Sequence, residues 1–270
     1  MITLMYHRLV EPKEYNKLEG SERVLSVAVG KFEEQVKYLK ESGYTFVTPA
    51  EVVDFVKGKM ELNGLSALLT FDDGCQSILK AIPILQKYSA CATVFVTIND
   101  DSFVFNLDHN DDKRLSDKQL ADIDGTALNF ESHTLTHRPL VALCNDEIYT
   151  ELAESRKRLE QILGRPIKHL AVPGNWYNKK VMRIAEEVGY ETVWYSVPGD
   201  IIKGSNLYGL PRLNVDGNWN LDRFIESISQ KEIARRRRKT IIKGVPKRLL
   251  GPKYWLLIRK KIFRFLKNIA

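Results

Sequence analysis

Residues 65–74 read LSALLTFDDG, a mainly apolar run that closes on two adjacent carboxylates and a glycine. A run of this length bounded by turn formers reads as a buried strand with Asp72 and Asp73 at its end. Two neighbouring carboxylates repel, and each is costly to remove from water unpaired. Either a turn exposes both to solvent, as Asp and Gly in turns often are, or a positive charge sits between them.

Working outward, short apolar runs alternate with helical patterns. ITLMY (2–6), YTFV (44–47), CATVFVT (91–97), LNFES (128–132), HLAVP (169–173) and TVWYS (192–196) read as further strands. FEEQVKYLKESG (32–43) places Phe32, Val36 and Leu39 on one helical face before Gly43, and PAEVVDFVKG (49–58) begins on Pro49. Further helices are expected over about 76–88, 115–123, 145–164 and 178–188. Strands alternating with helices define an α/β protein with a parallel sheet, either a barrel or an open doubly wound form. About seven such units within residues 1–232 favour a distorted (β/α) barrel. In both forms reactive side chains gather at the C-terminal ends of strands. TFDDG, MYHR (5–8), ESHTLTH (131–137) and AVPGNWY (171–177) all sit at such ends.

The 270 residues, 44% hydrophobic and 28% charged, are ample for a globular core. Cys75, Cys91 and Cys144 are far apart and form no CxxC pair, which points to free thiols in a reducing compartment. MITLMYHRL has neither the basic nor the apolar stretch of a signal peptide, and no 18-residue apolar run marks a membrane span. Charge divides the chain. Residues 233–270 hold 14 of the 41 Lys/Arg and none of the 34 Asp/Glu, which leaves residues 1–232 at a net −7. The expected organisation is an acidic barrel (1–232) followed by a basic amphipathic tail (233–270).

Two of the five histidines, His133 and His137, lie in SHTLTH. A spacing of four puts both imidazoles on one face if a helical turn follows the strand. Two histidines, one carboxylate and open positions suit a hydrolytic site for Zn²⁺ or a similar cation. With Asp73 as the carboxylate ligand, Asp72 can stay ionised beside it and serve as general base on water. The cation then answers the repulsion within TFDDG.

These motifs resemble the polysaccharide deacetylases of the NodB-homology type, carbohydrate esterase family 4. TFDDG (70–74) matches the family's first motif and SHTLTH (132–137) its second, and 69–96 is similar throughout. The resemblance, over roughly residues 1–215, implies a NodB-like barrel and a divalent metal, Zn²⁺ first and Co²⁺ or Ni²⁺ as alternatives. It implies that Asp73, His133 and His137 hold the metal, that Asp72 is the base, and that an acetamide is hydrolysed to acetate and a free amino sugar.

The chain departs from the family pattern at two places. The third motif has Ala171 where an arginine is usual, and Arg212 in LPRLNV (210–215) is the expected replacement as partner of Asp72. The strand RLNV (212–215) lacks the usual histidine acid. Resemblance to the poly-N-acetylglucosamine deacetylase branch, also seen in 32–52, assigns that role to His7. Pro173, Trp176 and Tyr177 are the substrate-binding candidates, since aromatic faces suit pyranose rings. A catalytically silent carbohydrate-binding or scaffold protein of the same fold is the alternative reading.

In the tail, RRRRK (235–239) precedes a stretch in which Trp255, Ile258, Ile262, Phe265, Leu266 and Ile269 follow helical spacing among basic residues. That is the pattern of an interfacial helix on an anionic membrane surface, expected through residues 235–270; nucleic acid is not an expected partner. A deacetylase held at the inner membrane face would act on a lipid-linked or surface-glycan intermediate of O-antigen or capsule type.

Overall fold

A computed structural model of the chain describes residues 1–62, 64–99, 112–175 and 178–242. In chain order the elements are β1 (Ile2–Tyr6), β2 (Arg8–Val10), α1 (Pro12–Tyr15), α2 (Gly20–Leu25), β3 (Ser26–Ala28), α3 (Val29–Glu41), β4 (Thr45–Phe46) and α4 (Pro49–Val56). There follow β5 (Ser66–Phe71), α5 (Ala81–Lys87), β6 (Ala92–Val96), α6 (Asp117–Ile123), β7 (Leu128–Ser132), α7 (Asn145–Leu163), β8 (His169–Ala171), α8 (Lys179–Val188), β9 (Thr192–Tyr195), β10 (Leu210–Pro211), β11 (Leu213–Asn214) and α9 (Leu221–Ser227). A further helix covers 230–242.

All seven strands read from apolar runs are present, and they pair in parallel. The sheet has nine strands in the order β10-β9-β8-β7-β6-β5-β1-β11, with β4 also on β5. The outer strands β10 and β11 pair with β9 and β1, yet only Arg212 separates them in sequence. The two edges of the sheet therefore come within the reach of one residue, about 7 Å between flanking Cα atoms. The sheet is curled into a nearly closed barrel, with Arg212 at the seam.

Alternation sorts each strand's side chains between two cores. Along β5, Leu69 and Phe71 join the large core shared with Phe32, Val36 and Leu39 of α3. Leu68 faces the other way and packs with Phe95, Ala171, Trp194 and Leu210 from four other strands. Thr70 and Asp72 continue that second face toward the strand end. Helix starts follow the expected chemistry. Thr48 accepts from Glu51 N ahead of Pro49, and Ser116 accepts from Gln119 N, each in a reciprocal box.

Three features differ from expectation. Residues 8–28 form α1, α2 and a small parallel pair, β2 with β3, elements too short for periodicity to register. β10 and β11 escape notice for the same reason. The helix 230–242 runs through position 232/233, and Ile233 is buried in the main core. The amphipathic run from Trp255 onward lies outside the described residues.

His169 shows how tightly the strand starts are packed. Trp194 Nε1 donates to Thr192 Oγ1 at 2.7 Å, and the same hydroxyl shares a hydrogen bond of 2.9 Å with His169 Nδ1. Burial pushes His169 down from 6.5 to about 4. An imidazole that is neutral when folded takes up its proton only on unfolding, so its contribution to stability is lost as pH falls from about 6.5 through about 4. The loss of stability between pH 7 and pH 4, measured by urea unfolding, is expected to be smaller in His169→Gln by about 2–3 kcal/mol.

Candidate active site

β5 carries its backbone pairing one residue past the strand, since Asp72 N donates to Tyr6 O at 2.9 Å. The chain then turns through two left-handed residues, Asp73 (φ 75°) and Gly74 (φ 84°). A Cβ at Gly74 would stand 3.0 Å from Val96 Cγ1, so glycine meets both the conformation and the close approach of β6. The Asp73 carbonyl accepts from Thr97 N at 3.1 Å, which fixes the turn to the end of β6.

The turn separates the two carboxylates. Asp72 meets Arg212 in a fork: Nη1 donates to Oδ1 at 2.6 Å and Nη2 to Oδ2 at 2.8 Å. Nη1 also reaches Thr70 Oγ1 at 3.2 Å, and the guanidinium lies 5.2 Å from the Phe95 ring centroid. Arg212 is 1% exposed and Asp72 3%. Burial alone would raise the Asp72 carboxyl, but Arg212 and then His133 outweigh it and hold the group well below the usual carboxylate range.

Asp73 has no such partner. Its Oδ1 is buried without a hydrogen bond, 3.5 Å from His137 Nε2 and 3.7 Å from His133 Nε2. Burial pushes its carboxyl up, His7 pulls it back and the Asp72 charge raises it again, leaving it at about 6. His133 Nδ1 lies 2.8 Å from Ala171 O, an atom that only accepts, so Nδ1 carries the hydrogen and Nε2 keeps its lone pair. Burial pushes His133 down to about 3 and lowers His137 as well. One carboxylate oxygen and two imidazole nitrogens thus lie within 4.8 Å of one another. Two neutral imidazoles turned toward an orphaned carboxylate oxygen form a donor set that fits a divalent cation.

The histidine pair is not brought together by a helical turn. Residues 133–137 form an irregular loop in which Thr134 (φ 72°) and His137 (φ 59°) are left-handed. His133 N donates to Val96 O at 2.9 Å, so the end of β6 holds this loop as well as the Asp73 turn. Glu151 and Ser155 of α7 hold it from the other side. The sequence reading missed both, although each interrupts the apolar stripe Ile148, Leu152, Leu159 of a helix, and that interruption is the signal.

His7 follows β1 beside this cluster. It is half-buried, its Nδ1 has no hydrogen-bond partner, and it acts electrostatically on both Asp72 and Asp73. Pro173 is buried in the turn after β8, while Trp176 and Tyr177 lie outside the described residues. Cys75 is buried, and burial pushes its thiol well up, so it offers no thiolate.

A nearly closed parallel barrel with a carboxylate–imidazole donor set and an arginine-held carboxylate at its strand ends defines a barrel hydrolase. The chain belongs to the polysaccharide deacetylase family, whose model matches residues 59–193, half of its length. His7 and Arg212 lie outside that match. The chain is 27% identical over 213 residues to YxkH of Bacillus subtilis (strain 168), a protein provisionally assigned as a polysaccharide deacetylase, covering 78% of this chain and 70% of that one. It is also 27% identical over 231 residues to the poly-β-1,6-N-acetyl-D-glucosamine N-deacetylase of Staphylococcus aureus (strain MSSA476), covering 78% and 77%. Among solved structures, the Streptococcus pyogenes deacetylase PplD in complex with acetate superposes with a TM-score of 0.72 at 25% identity, over 85% of this chain and 98% of that one. A Bacillus cereus polysaccharide deacetylase gives 0.69 at 27% identity, over 84% and 68%.

Removing one member of a buried ion pair strands the other. Arg212→Leu is expected to destabilise the fold by about 3–5 kcal/mol in urea unfolding, whereas the double variant Arg212→Leu/Asp72→Leu recovers part of that loss.

Proposed function

We propose that the protein is a metal-dependent hydrolase that removes the N-acetyl group from an N-acetylated sugar in a lipid-linked or surface-glycan intermediate. The observation that carries this reading is the buried, unbonded Asp73 Oδ1 facing the Nε2 atoms of two imidazoles, beside an ionised Asp72. A divalent cation held by Asp73, His133 and His137, Zn²⁺ first and Co²⁺ or Ni²⁺ as alternatives, would supply a Lewis acid that polarises the acetamide carbonyl and acidifies water.

The chain's own groups do the proton work. Arg212 spends one hydrogen bond on each Asp72 oxygen, so each keeps a lone pair for the proton of the attacking water. The same contact holds the carboxylate ionised until that proton arrives. As the new C–O bond forms and the C–N bond breaks, His7 delivers a proton to the departing nitrogen, giving acetate and a free amine. The S. aureus relative's named substrate class, β-1,6-linked N-acetylglucosamine, is the first glycan to test.

Purified protein is expected to hold about one Zn²⁺ per chain and to release acetate from N-acetylated glycans. Asp72→Asn and His7→Ala should lower kcat by about 10²–10⁴-fold with metal content unchanged, whereas Asp73→Ala should lose the metal. Metal-loaded protein that frees no acetate from any N-acetylated glycan would overturn the reading.

The tail is assigned to the anionic inner face of the cytoplasmic membrane. Helix 230–242 exposes Arg235, Arg237, Arg238 and Lys239, with Ile241 44% and Ile242 68% exposed. Among the described residues no helix is long and apolar enough to cross a membrane, and the association proposed is peripheral. Each basic side chain near such a surface contributes about 1 kcal/mol. Full-length protein is expected to sediment with phosphatidylglycerol vesicles at low salt and not with phosphatidylcholine vesicles. A chain lacking residues 243–270 should bind them more weakly; equal binding by both chains refutes the role of that segment.

A further inference from the structure

The loop that carries both histidines departs from ordinary backbone geometry. Thr134 is β-branched and left-handed, a conformation that costs about 1–3 kcal/mol and persists only where surroundings impose it. His137 is left-handed too. What imposes the geometry is visible on α7. Its buried face reads Ile148, Glu151, Leu152, Ser155 and Leu159, and the two polar members lie one turn apart. Ser155 Oγ and Ser132 Oγ share a hydrogen bond of 2.8 Å at the root of the loop, and Thr134 N donates to that same Ser132 Oγ at 3.3 Å. Glu151 takes the middle of the loop. Its Oε2 accepts from Leu135 N at 3.1 Å and Thr136 N at 2.9 Å, and its Oε1 accepts from Thr136 Oγ1. Thr134 Oγ1 completes the frame by accepting from His137 N at 3.2 Å.

A carboxylate 4% exposed accepts from two backbone amides and a hydroxyl of the loop, and it is not a member of the donor set. We propose that Glu151 is a positioning residue for the cation site: it fixes the backbone of 135–136, and through it the direction of His137 Nε2, without touching the cation itself. This rests on the reading of Asp73, His133 and His137 as the metal-holding set. Residues that orient ligands in this way typically alter metal affinity 10–100-fold when removed. The inference separates two roles for α7. Leu152 and Leu159 pack the helix onto the barrel, whereas Glu151 converts that packing into ligand geometry.

The test is the Zn²⁺ dissociation constant of the full-length protein, measured by chelator competition, with thermal unfolding of the metal-free chain alongside. Glu151→Ala is expected to weaken Zn²⁺ about 10–100-fold, while Glu151→Gln, which keeps an acceptor for the two amides, stays within about threefold of wild type. Leu159→Ala, on the same helix face, should lower the unfolding temperature with the Zn²⁺ constant unchanged. At saturating Zn²⁺ the kcat of Glu151→Ala should return toward wild type, because no catalytic group has been lost. If Glu151→Ala folds too poorly to measure, Glu151→Asp withdraws the carboxylate by one methylene and should weaken Zn²⁺ several-fold in the same assay. A Glu151→Ala or Glu151→Asp constant within twofold of wild type, or an equal loss in Leu159→Ala, overturns the positioning role alone. A wild-type chain that binds no divalent cation overturns the metal site and this inference together.

Discussion

The fork between Arg212 and Asp72 is the contact on which the barrel and its site both depend. Both groups are almost fully withdrawn from water, which is costly for each charge and tolerable only because each neutralises the other in bidentate geometry. Arg212 is also the single residue between the two edges of the sheet. β10 and β11 are two residues long, so neither ladder can hold the seam by its own hydrogen bonds. A side chain anchored in the barrel centre supplies the missing tie. Closure of the sheet and ionisation of the carboxylate are therefore one interaction seen from two sides.

Around that pair the site stores conflict. Asp73 is forced left-handed and its Oδ1 is buried unbonded, while Thr134 and His137 adopt backbone angles that their side chains disfavour. Conflicts of this kind survive where surrounding structure imposes them, and they gather at functional positions. Beside α7, which holds the middle of the histidine loop, the end of β6 has a part in imposing it. Thr97 N holds the Asp73 carbonyl, and Val96 O holds His133 N, so one strand end rivets the carboxylate turn and the histidine loop in mutual register. A divalent cation would satisfy the orphaned oxygen and both imidazoles at once, which is why the donor set makes sense as a unit and not as three separate residues.

Much of this is legible in the sequence. Seven strands announced themselves as apolar runs between turn residues, β4 among them although it pairs over only two residues, and TFDDG, MYHR and SHTLTH could be placed at strand ends by that pattern alone. Arg212 was reachable because Ala171 stood where resemblance led one to look for an arginine. Other features were out of reach for physical reasons. Two-residue strands such as β10 and β11 carry no period. The histidines of SHTLTH have the spacing of a helical turn, but Glu151 and Ser155 bond the segment as a loop, and nothing in the letters HTLTH reports a left-handed threonine. Glu151 interrupts an apolar stripe, a signal that it is buried, but the stripe does not say which groups of the loop it meets.

The substitution at position 171 shows how the interior accommodates an arginine that enters from elsewhere. Ala171 packs against Trp194 and Leu210 in the small second core, and its carbonyl is the acceptor that sets the tautomer of His133. A long charged side chain at 171 would compete with Trp194 for that volume. With the guanidinium delivered from the seam, β8 keeps a small residue, Trp194 fills the space, and the His133 contact needs only backbone. The arrangement makes Asp72 sensitive to the C-terminal strands. Any loosening of the β10–β11 crossing withdraws Arg212 from Asp72, and the buried carboxyl then rises toward protonation, since Arg212 is the leading force opposing its burial. Ionisation of Asp72 is thereby conditional on a barrel that has closed.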